Sequence, residues 1–181
     1  MERKAQPFNV IGQLAALRRY ALSLVRNPED AEDLVHDSLV KAYERQSSFR
    51  TGANIRNWLL SIVHNTHVDR LRQRRAVDRR HEAAAQLAEQ SLPANQDHSV
   101  RLKQVREAFF SLPEEQREAL HLVAIEELSY QEAANALGIP VGTLMSRVSR
   151  ARARLRAFEQ PETEATIHHL RIVGGSSDDQ Q

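Results

Sequence analysis

The strongest constraint on the fold is a short break between two helical patterns near residue 140. Gly138 supplies a sharp turn, and Pro140 prevents the preceding helix from continuing. The face before the break is apolar, with Ala133, Ala134 and Leu137. The pattern after it is cationic, with Arg147, Arg150, Arg152, Arg154 and Arg156. A short helix opening at Ser129, a sharp turn and a second basic helix form the layout of a helix-turn-helix.

The second of these helices has the charge expected of a DNA-reading helix. No acidic residue occurs between Glu132 and Glu159. Such a helix can lie in a major groove, with its N-terminal side chains near base edges and its arginines near phosphates. The DNA-facing candidates are Thr143, Met145, Ser146, Arg147, Arg150 and Arg152, whereas Val141, Leu144 and Val148 are expected to pack inward. The alternative is a solvated basic face, which turn chemistry, periodicity and charge together disfavour.

The charges of this chain are segregated, although its net charge is only +1. Residues 27–40 contain five acidic residues and no Lys or Arg. Residues 70–80 contain six arginines opposed by Asp78 alone. Attraction to nucleic acid must therefore come from where the charges lie, since the total charge is too small to supply it.

Hydrophobic periodicity predicts three helices in the first half of the chain. The first spans residues 10–26, and the second begins after Asn27 as N-cap and Pro28 as first residue and runs to about residue 45. Its packed face is predicted to contain Ala31, Leu34, Val35, Ser38, Leu39, Ala42 and Tyr43. Residues 46–53 read as a loop, and a third helix, capped by Asn54, runs into the arginine-rich tract.

In the second half of the chain, the pattern of apolar residues predicts helices over residues 100–110 and 113–126, followed by the helix-turn-helix. No strand signal occurs. The fold class is therefore all-α, with two small helical domains over residues 8–76 and 100–160. A flexible linker is expected over residues 77–99 and a disordered tail over residues 161–181. We expect the two helical bundles to fold separately.

Four stretches in this order resemble the extracytoplasmic-function (ECF) group of bacterial sigma factors, group 4 of the sigma-70 family. They are NPEDAEDLVHDSLVKAY at 27–43, FR at 49–50 with NIRNWLLSIVHNT at 54–66, SLPEEQREAL at 111–120, and the helix-turn-helix at 129–156. The resemblance covers residues 10–156. It implies a sigma-2 and a sigma-4 domain, and a subunit that gives RNA polymerase its promoter choice and promotes DNA melting, in a stress or signal response.

The resemblance implies that the first domain binds the clamp coiled coil of core polymerase through the acidic helix. The candidates for this contact are Glu29, Asp30, Asp33 and Asp37. Their spacing independently indicates a negative stripe that would guide a basic partner. A soluble helix with acids near the positive end of its dipole is the alternative.

The third helix and the loop before it are the candidate minus-10 surface. Melted DNA must be held by stacking, by hydrogen bonds to base edges and by cations. Asn65 aligns with an Asn of the family's minus-10-reading helix, and Phe49 lies in the loop corresponding to the family's base-capturing loop. The full set of candidates is Phe49, Arg50, Asn65, Asp69, Arg70, Arg72, Arg74 and Arg75. The arginines are expected to meet phosphates, and Trp58 is expected to be a core residue rather than a stacking platform.

The second domain, by the same resemblance, packs on the polymerase flap and reads the minus-35 element. Met145 lies where many relatives carry Lys or Arg, which leaves the preferred minus-35 sequence open. The resemblance also implies an anti-sigma factor as a partner. Residues 77–99 would thread toward the active cleft and RNA exit path.

Several classes of site are not expected. The chain has no cysteine, and His64, His67 and Asp69 lack a further ligand at clear metal spacing. We expect no metal, no cofactor, no small-molecule substrate and no catalytic residues, because no phosphate loop, nucleophile elbow or carboxylate pair occurs. No apolar stretch approaches the length of a signal peptide core or a membrane span, so a cytoplasmic protein is expected.

Two other functions compete with the sigma-factor interpretation. A regulator that binds DNA alone would need the helix-turn-helix but not the acidic helix or the helix carrying Trp58 and Asn65. A sigma mimic that titrates an anti-sigma factor would need neither the arginine-rich tract nor the basic helix. The presence of all four features in one chain favours the sigma factor.

Overall fold

The computed structural model describes residues 9–50, 52–78 and 100–159, and every regular element in these ranges is helical. A first bundle contains three helices: α1 (Leu14–Val25), α2 (Pro28–Glu44) and α3 (Ile55–Asp78). A second contains four: α4 (Val100–Ser111), α5 (Glu114–Leu120), α6 (Tyr130–Leu137) and α7 (Val141–Glu159). Short 3₁₀ turns occupy Ile11–Gln13 and Gln46–Ser48. The predicted all-α fold class is confirmed.

The boundaries of the predicted linker and tail fall mostly outside the described residues. Residues 77 and 78 continue α3, so this helix runs past the predicted domain end at residue 76. The remainder of the predicted linker, residues 79–99, and the predicted tail, residues 161–181, are not among the described residues.

Local capping explains where the helices of the first bundle begin. The Asn27 side chain accepts a hydrogen bond from the Glu29 backbone N–H at 2.8 Å, and Pro28 occupies the first helical position. Arg26 adopts a left-handed conformation (φ 64°) that ends α1 just before this cap. The Asn54 side chain caps α3 in the same way, accepting from the Arg56 N–H at 3.0 Å. Both predicted caps are confirmed.

The helix-turn-helix has the predicted turn chemistry. Ser129 and Glu132 form a reciprocal capping box at the start of α6, and Gly138 ends the helix with φ 65°. A residue with a Cβ would be strained in this left-handed conformation. The α7 helix begins at Val141, immediately after Pro140.

The predicted helix over residues 113–126 is interrupted. The α-helical part, α5, ends at Leu120, and a π-helical turn follows over His121–Ile125. The Glu126 N–H donates to the His121 carbonyl at 3.1 Å, and Glu127 then takes a left-handed conformation (φ 56°). The π turn rotates the chain relative to an α-helix, and the Glu126 side chain ends fully buried.

Each bundle has its own apolar centre, and two predicted core positions are wrong. Leu17, Leu34 and Val63 are buried in the first bundle, and Leu144 and Val148 in the second. Tyr43, however, is 59% exposed at the end of α2, and Val141 is 38% exposed at the start of α7. Both residues lie in a terminal turn of a helix, where the periodic face extends beyond the neighbouring helices.

The two bundles are packed against each other, which the sequence did not predict. Helix α1 contacts α5, and α3 contacts α6. One continuous buried cluster runs from Tyr20 and Leu60 in the first bundle to Leu120 and Ala134 in the second. In this arrangement the bundles are therefore not independent.

Candidate nucleic-acid and partner interfaces

The acidic residues of α2 form a stripe on the surface of the first bundle. Glu29, Asp33 and Asp37 are exposed and Asp30 is half-buried, while Ala31, Leu34 and Val35 on the other side of the helix are buried. The stripe thus lies on the solvent-exposed face of α2, opposite the face of buried apolar residues. It presents carboxylates to any basic surface that approaches α2.

Part of this stripe is already paired with the arginine-rich end of α3. Arg70 donates from Nε to Asp37 at 3.2 Å and from Nη2 to the Asp33 carbonyl at 2.9 Å. Asp69 accepts from Lys41 of α2 at 3.3 Å. Two predicted minus-10 residues, Arg70 and Asp69, therefore bind α2, and one of them contacts the predicted polymerase-binding stripe.

The other predicted minus-10 residues differ in exposure. Asn65 is exposed on α3, and Arg50 is exposed in the loop before it. Arg72 and Arg74 are exposed farther along α3, as is Arg75. Phe49 is half-buried with its ring centroid 5.3 Å from that of Trp58. Trp58 itself packs against the core, as predicted.

Most of the predicted minus-35 residues lie on the outer face of α7. Thr143, Met145, Arg150 and Arg152 are exposed, and the Ser146 hydroxyl donates to the Thr143 carbonyl at 2.8 Å. Leu144 and Val148 face the core. This alternation follows from the 3.6-residue period of the helix.

Arg147 is an exception among the residues predicted to face DNA. Its side chain is only 18% exposed and binds two carboxylates, Glu115 at 3.0 Å and Glu118 at 3.3 Å. Both lie on α5. In this arrangement Arg147 links the basic helix to the rest of its own bundle.

Four residues that were not candidates from the sequence meet at the contact between the bundles. The buried carboxylate of Glu126 accepts from Arg19 Nε at 3.2 Å and also binds Arg56. His121 Nε2 lies 3.3 Å from the same carboxylate. Arg19 and Arg56 belong to α1 and α3 of the first bundle. We call Arg19, Arg56, His121 and Glu126 the interbundle cluster.

The electrostatics of this cluster keep Glu126 ionised. Burial by itself would raise the pKa of Glu126, but hydrogen bonds from His121 and Arg56 and the charges of Arg19 and Arg56 lower the pKa to about 2. Burial lowers the pKa of His121 by more than the hydrogen bond with Glu126 and the negative charge of Glu126 raise it. A neutral ring can still donate from Nε2, so one buried carboxylate and two cations make up the charged part of the cluster.

A second buried contact between the bundles comes from Arg117 of α5. Its guanidinium donates to the carbonyls of Ser23 at 2.5 Å and Leu24 at 3.5 Å, in the last turn of α1. It also donates to Leu112 at 2.9 Å. Carbonyls at a helix C-terminus lack intrahelical partners, and a cation there is favoured by the helix dipole. Burial lowers the pKa of Arg117 to about 10, which still leaves it protonated at neutral pH.

His64 and His67, considered above as metal ligands, lie in the same contact. His67 Nε2 is 2.7 Å from Glu114, and His64 Nδ1 is 3.4 Å from Glu118. The Asn57 side-chain amide donates to Glu132 of α6 at 2.7 Å. No periodic pattern pairs residues so distant in sequence, and so no local signal could have revealed this network.

Within the described ranges, no helix combines the length and the apolar character needed to cross a membrane.

Comparison with known proteins agrees with this architecture. The family model described as "Sigma-70 region 2" matches residues 13–77, and the one described as "Sigma-70, region 4" matches residues 102–155. The chain is 36% identical to the ECF RNA polymerase sigma factor EcfG of Rhodopseudomonas palustris over 83% of this chain and 82% of that protein. It is also 36% identical to the ECF RNA polymerase sigma factor SigM of Mycobacterium tuberculosis, over 77% and 69% of the two chains.

A solved structure has a similar arrangement. The sigma factor RpoE of Bartonella quintana, in complex with the anti-sigma factor NepR, superposes with a TM-score of 0.70 at 37% identity, covering 82% of this chain and 92% of that one. The two family-model matches together span most of the described residues, in the order of the two bundles. The chain therefore belongs to the ECF sigma factors of the sigma-70 family, the subunits that direct bacterial RNA polymerase to promoters for transcription initiation.

Proposed function

We propose that the two bundles divide the tasks of this sigma factor. The first, residues 8–76, binds core polymerase, recognises the minus-10 element and promotes melting. The second, residues 100–160, recognises the minus-35 element. The observation that carries this division is the placement of an exposed acidic stripe on one bundle and an exposed basic helix-turn-helix on the other.

The polymerase contact is assigned to Glu29, Asp30, Asp33 and Asp37. The solvent-facing position of the stripe on α2 supports this assignment, because a basic surface of the clamp could reach it without disturbing the buried face. Arg70 now neutralises Asp37 from within the chain. Displacement of Arg70 by the clamp would free this cation for the DNA strand.

The minus-10 contact is assigned to Phe49, Arg50, Asn65, Asp69, Arg70, Arg72, Arg74 and Arg75. Exposure of Asn65 supports a role in binding base edges, since an amide can both donate and accept. Arg72 and Arg74 are suited to phosphates. Phe49 would have to leave Trp58 before a base could stack on its whole face.

The minus-35 contact is assigned to Thr143, Met145, Ser146, Arg147, Arg150 and Arg152. Arg150 is the strongest candidate for a bidentate base contact, because it is exposed on the outer face of α7. Arg147 would have to exchange Glu115 and Glu118 for DNA.

We further infer that this sigma factor works in the cytoplasm, where RNA polymerase and promoter DNA are, and that it has no catalytic residues of its own. Regulation by an anti-sigma factor is supported by the RpoE structure, whose bound partner is one. A role in a stress or signal response is part of the same proposal.

The proposal is tested by run-off transcription. Purified core polymerase is combined with this chain and genomic fragments, with a characterised sigma factor as the positive control. Defined transcripts that require the chain are expected, and their start sites identify the promoter elements. Absence of any chain-dependent transcript, while the control sigma factor works, would refute the proposed function.

A regulator that binds DNA alone makes a different prediction. It would shift its cognate duplex in a gel without polymerase, whereas this chain is expected to shift promoter DNA strongly only when core polymerase is present. The same transcribed fragment serves both arms of the experiment.

A further inference from the structure

The first two turns of α7 carry an exposed apolar patch on a helix that is otherwise polar and basic on its outer face. Met145 is 52% exposed, and Val141, one helical turn before it, is 38% exposed. Side chains four residues apart lie on the same side of a helix, so the two residues form one patch. The N-terminal residues of a recognition helix are the ones that reach base edges in the major groove. The patch therefore lies where α7 would meet the bases.

The side chains next to this patch are small. Gly142, Ser146 and Ser149 follow one another at helical spacing, and a Cβ placed on Gly142 would meet no atom of the described residues within 4 Å. A helix whose side chains are small along one line can approach the floor of a groove closely. Met145 borders this line, so its long side chain can reach the base edges when the helix lies in the groove.

The charges around the patch favour DNA over a protein as its partner. Arg150, Arg152 and Arg156 are exposed on the same helix, and no acidic residue occurs between Glu132 and Glu159. Arginines of this kind bind phosphates and fix the position of a helix on the duplex. The Met145 thioether can neither donate a hydrogen bond to a base nor neutralise a phosphate. Its partner on DNA is therefore an apolar group.

Thymine is the one base that places an apolar substituent in the major groove. Its C5 methyl group lies there, whereas the other three bases are distinguished by hydrogen-bond donors and acceptors. A methionine packed against a donor or acceptor would leave that group without a partner, which is costly. Packed against a methyl group, it removes apolar surface of both molecules from water. A methionine at this position thus replaces a polar contact by a preference for thymine.

We propose that Val141 and Met145 read the 5-methyl group of a thymine in the minus-35 element of this sigma factor. Met145 covers the methyl group, and Val141 excludes water from one side of the contact. This inference rests on the proposed assignment of α7 to the minus-35 element. It adds Val141 to the residues that determine specificity and names the chemical group that the patch recognises.

The first experiment removes the methyl group and leaves the base pair otherwise unchanged. The probe is a synthetic duplex of a promoter identified by run-off transcription, in which each thymine of the minus-35 element, on either strand, is replaced in turn by deoxyuridine. Binding by the complex of core polymerase and this chain is measured. At one position the Kd is expected to rise about fourfold, which corresponds to about 0.8 kcal/mol for one buried apolar carbon. Absence of any such thymine would overturn the proposal.

Variants of the patch then assign this effect to its residues. In Met145→Ala and Met145→Gln, the ratio of the Kd for uracil to the Kd for thymine is expected to fall to near unity. Alanine is too short to reach the methyl group, and glutamine puts an amide of similar length in place of the thioether. Val141→Thr keeps the shape of the side chain but adds a hydroxyl, and it should lower the ratio less. Met145 is half-exposed and alanine favours helix, so these variants should fold, which far-UV circular dichroism checks.

The matched control is Phe158→Ala. Phe158 is also an exposed apolar residue of α7, but it lies near the other end of this 19-residue helix, about 20 Å from Met145 along the axis. Its uracil-to-thymine ratio should equal that of the unaltered chain. A ratio in Met145→Ala equal to that of the unaltered chain would overturn the proposal. Absence of any chain-dependent transcript would instead refute the proposed function on which this inference rests.

Discussion

Glu126 shows how one residue acquires a role that its sequence neighbours do not reveal. In the chain it is one of two consecutive glutamates before Leu128. In the fold, the π turn over His121–Ile125 carries it inward and the left-handed Glu127 directs the chain back outward. Its carboxylate is fully buried but has three partners, which offsets the cost of removing a charge from water.

The first prediction concerns the pH dependence of this residue. The pKa of Glu126 is about 2 in the folded chain and about 4.3 in an unfolded one. Ionised Glu126 therefore stabilises the fold above about pH 4.3, and this contribution is lost as the pH falls through about 2. In urea titrations near pH 6, the free energy of unfolding of the unaltered chain is expected to be about a few kcal/mol higher than that of Glu126→Gln. This difference should shrink below about pH 4. A difference independent of pH would contradict it.

A second prediction separates two arginines of α7 that look alike in sequence. Arg150→Ala is expected to weaken minus-35 binding by the polymerase complex by about 1–3 kcal/mol, the value of a bidentate base contact, with no change in stability. Arg147→Ala should lower the free energy of unfolding as well, because Glu118 loses a partner while it remains buried. Promoter affinity and urea unfolding are measured for both variants, and the prediction is wrong if only affinity changes for both.

At the scale of an element, α2 combines two surfaces with different tasks. One face is apolar and packs against α1 and α3. The other is acidic and exposed except where Arg70 and Lys41 form ion pairs with Asp37 and Asp69. Exposed ion pairs of this kind are worth about 1 kcal/mol or less. They can therefore be exchanged for contacts with a partner at small cost.

The third prediction belongs to this helix. Reversing the charge at Asp30 and Asp33 with Lys is expected to weaken binding to core polymerase at least tenfold, because a basic partner would meet like charges. Helicity should persist, because neither residue lies on the buried face. A matched double variant, Glu107→Lys with Glu127→Lys, reverses two exposed acidic residues of the second bundle and should bind core polymerase near normally. Equal binding by both double variants would refute the docking role of the stripe.

At the scale of the whole molecule, contact between the bundles couples their stabilities. Arg117 spans from α5 to the last carbonyls of α1, and the interbundle cluster spans from the π turn to α1 and α3. One cluster of buried apolar residues also includes side chains of both bundles. The two bundles are therefore expected to unfold together.

The fourth prediction tests this coupling in urea. Trp58 is the only tryptophan and reports on the first bundle, whereas far-UV circular dichroism reports on both. The two transitions are expected to coincide in the unaltered chain and to separate in Glu126→Ala, in which the bundles lose their central contact. Glu107→Ala serves as the control, because Glu107 is an exposed acid of α4 whose ion pair with Lys103 lies within its own helix. Separate transitions in the unaltered chain would show that the bundles are independent.

Local chemistry made much of this protein predictable from its sequence. The caps at Asn27, Asn54 and Ser129, the turn at Gly138 and the apolar faces of the helices all depend on residues within one or two turns of each other. The assignment of the chain to the ECF sigma factors was predictable for the same reason, because its four signature stretches are each contiguous. The predicted burial of Tyr43 and Val141 was wrong because a periodic pattern does not show where the neighbouring helices end.

The tertiary structure alone decided how the bundles meet. Arg19 and Glu126 are 107 positions apart and Asn57 and Glu132 are 75 apart, so neither periodicity nor capping relates them. Ion pairs depend on distance in space and on burial, and both follow from the packing of whole helices. The sequence by itself determined which helices form and which family they build, whereas only their packing determined that Glu126 is buried between two arginines and that Arg147 binds α5.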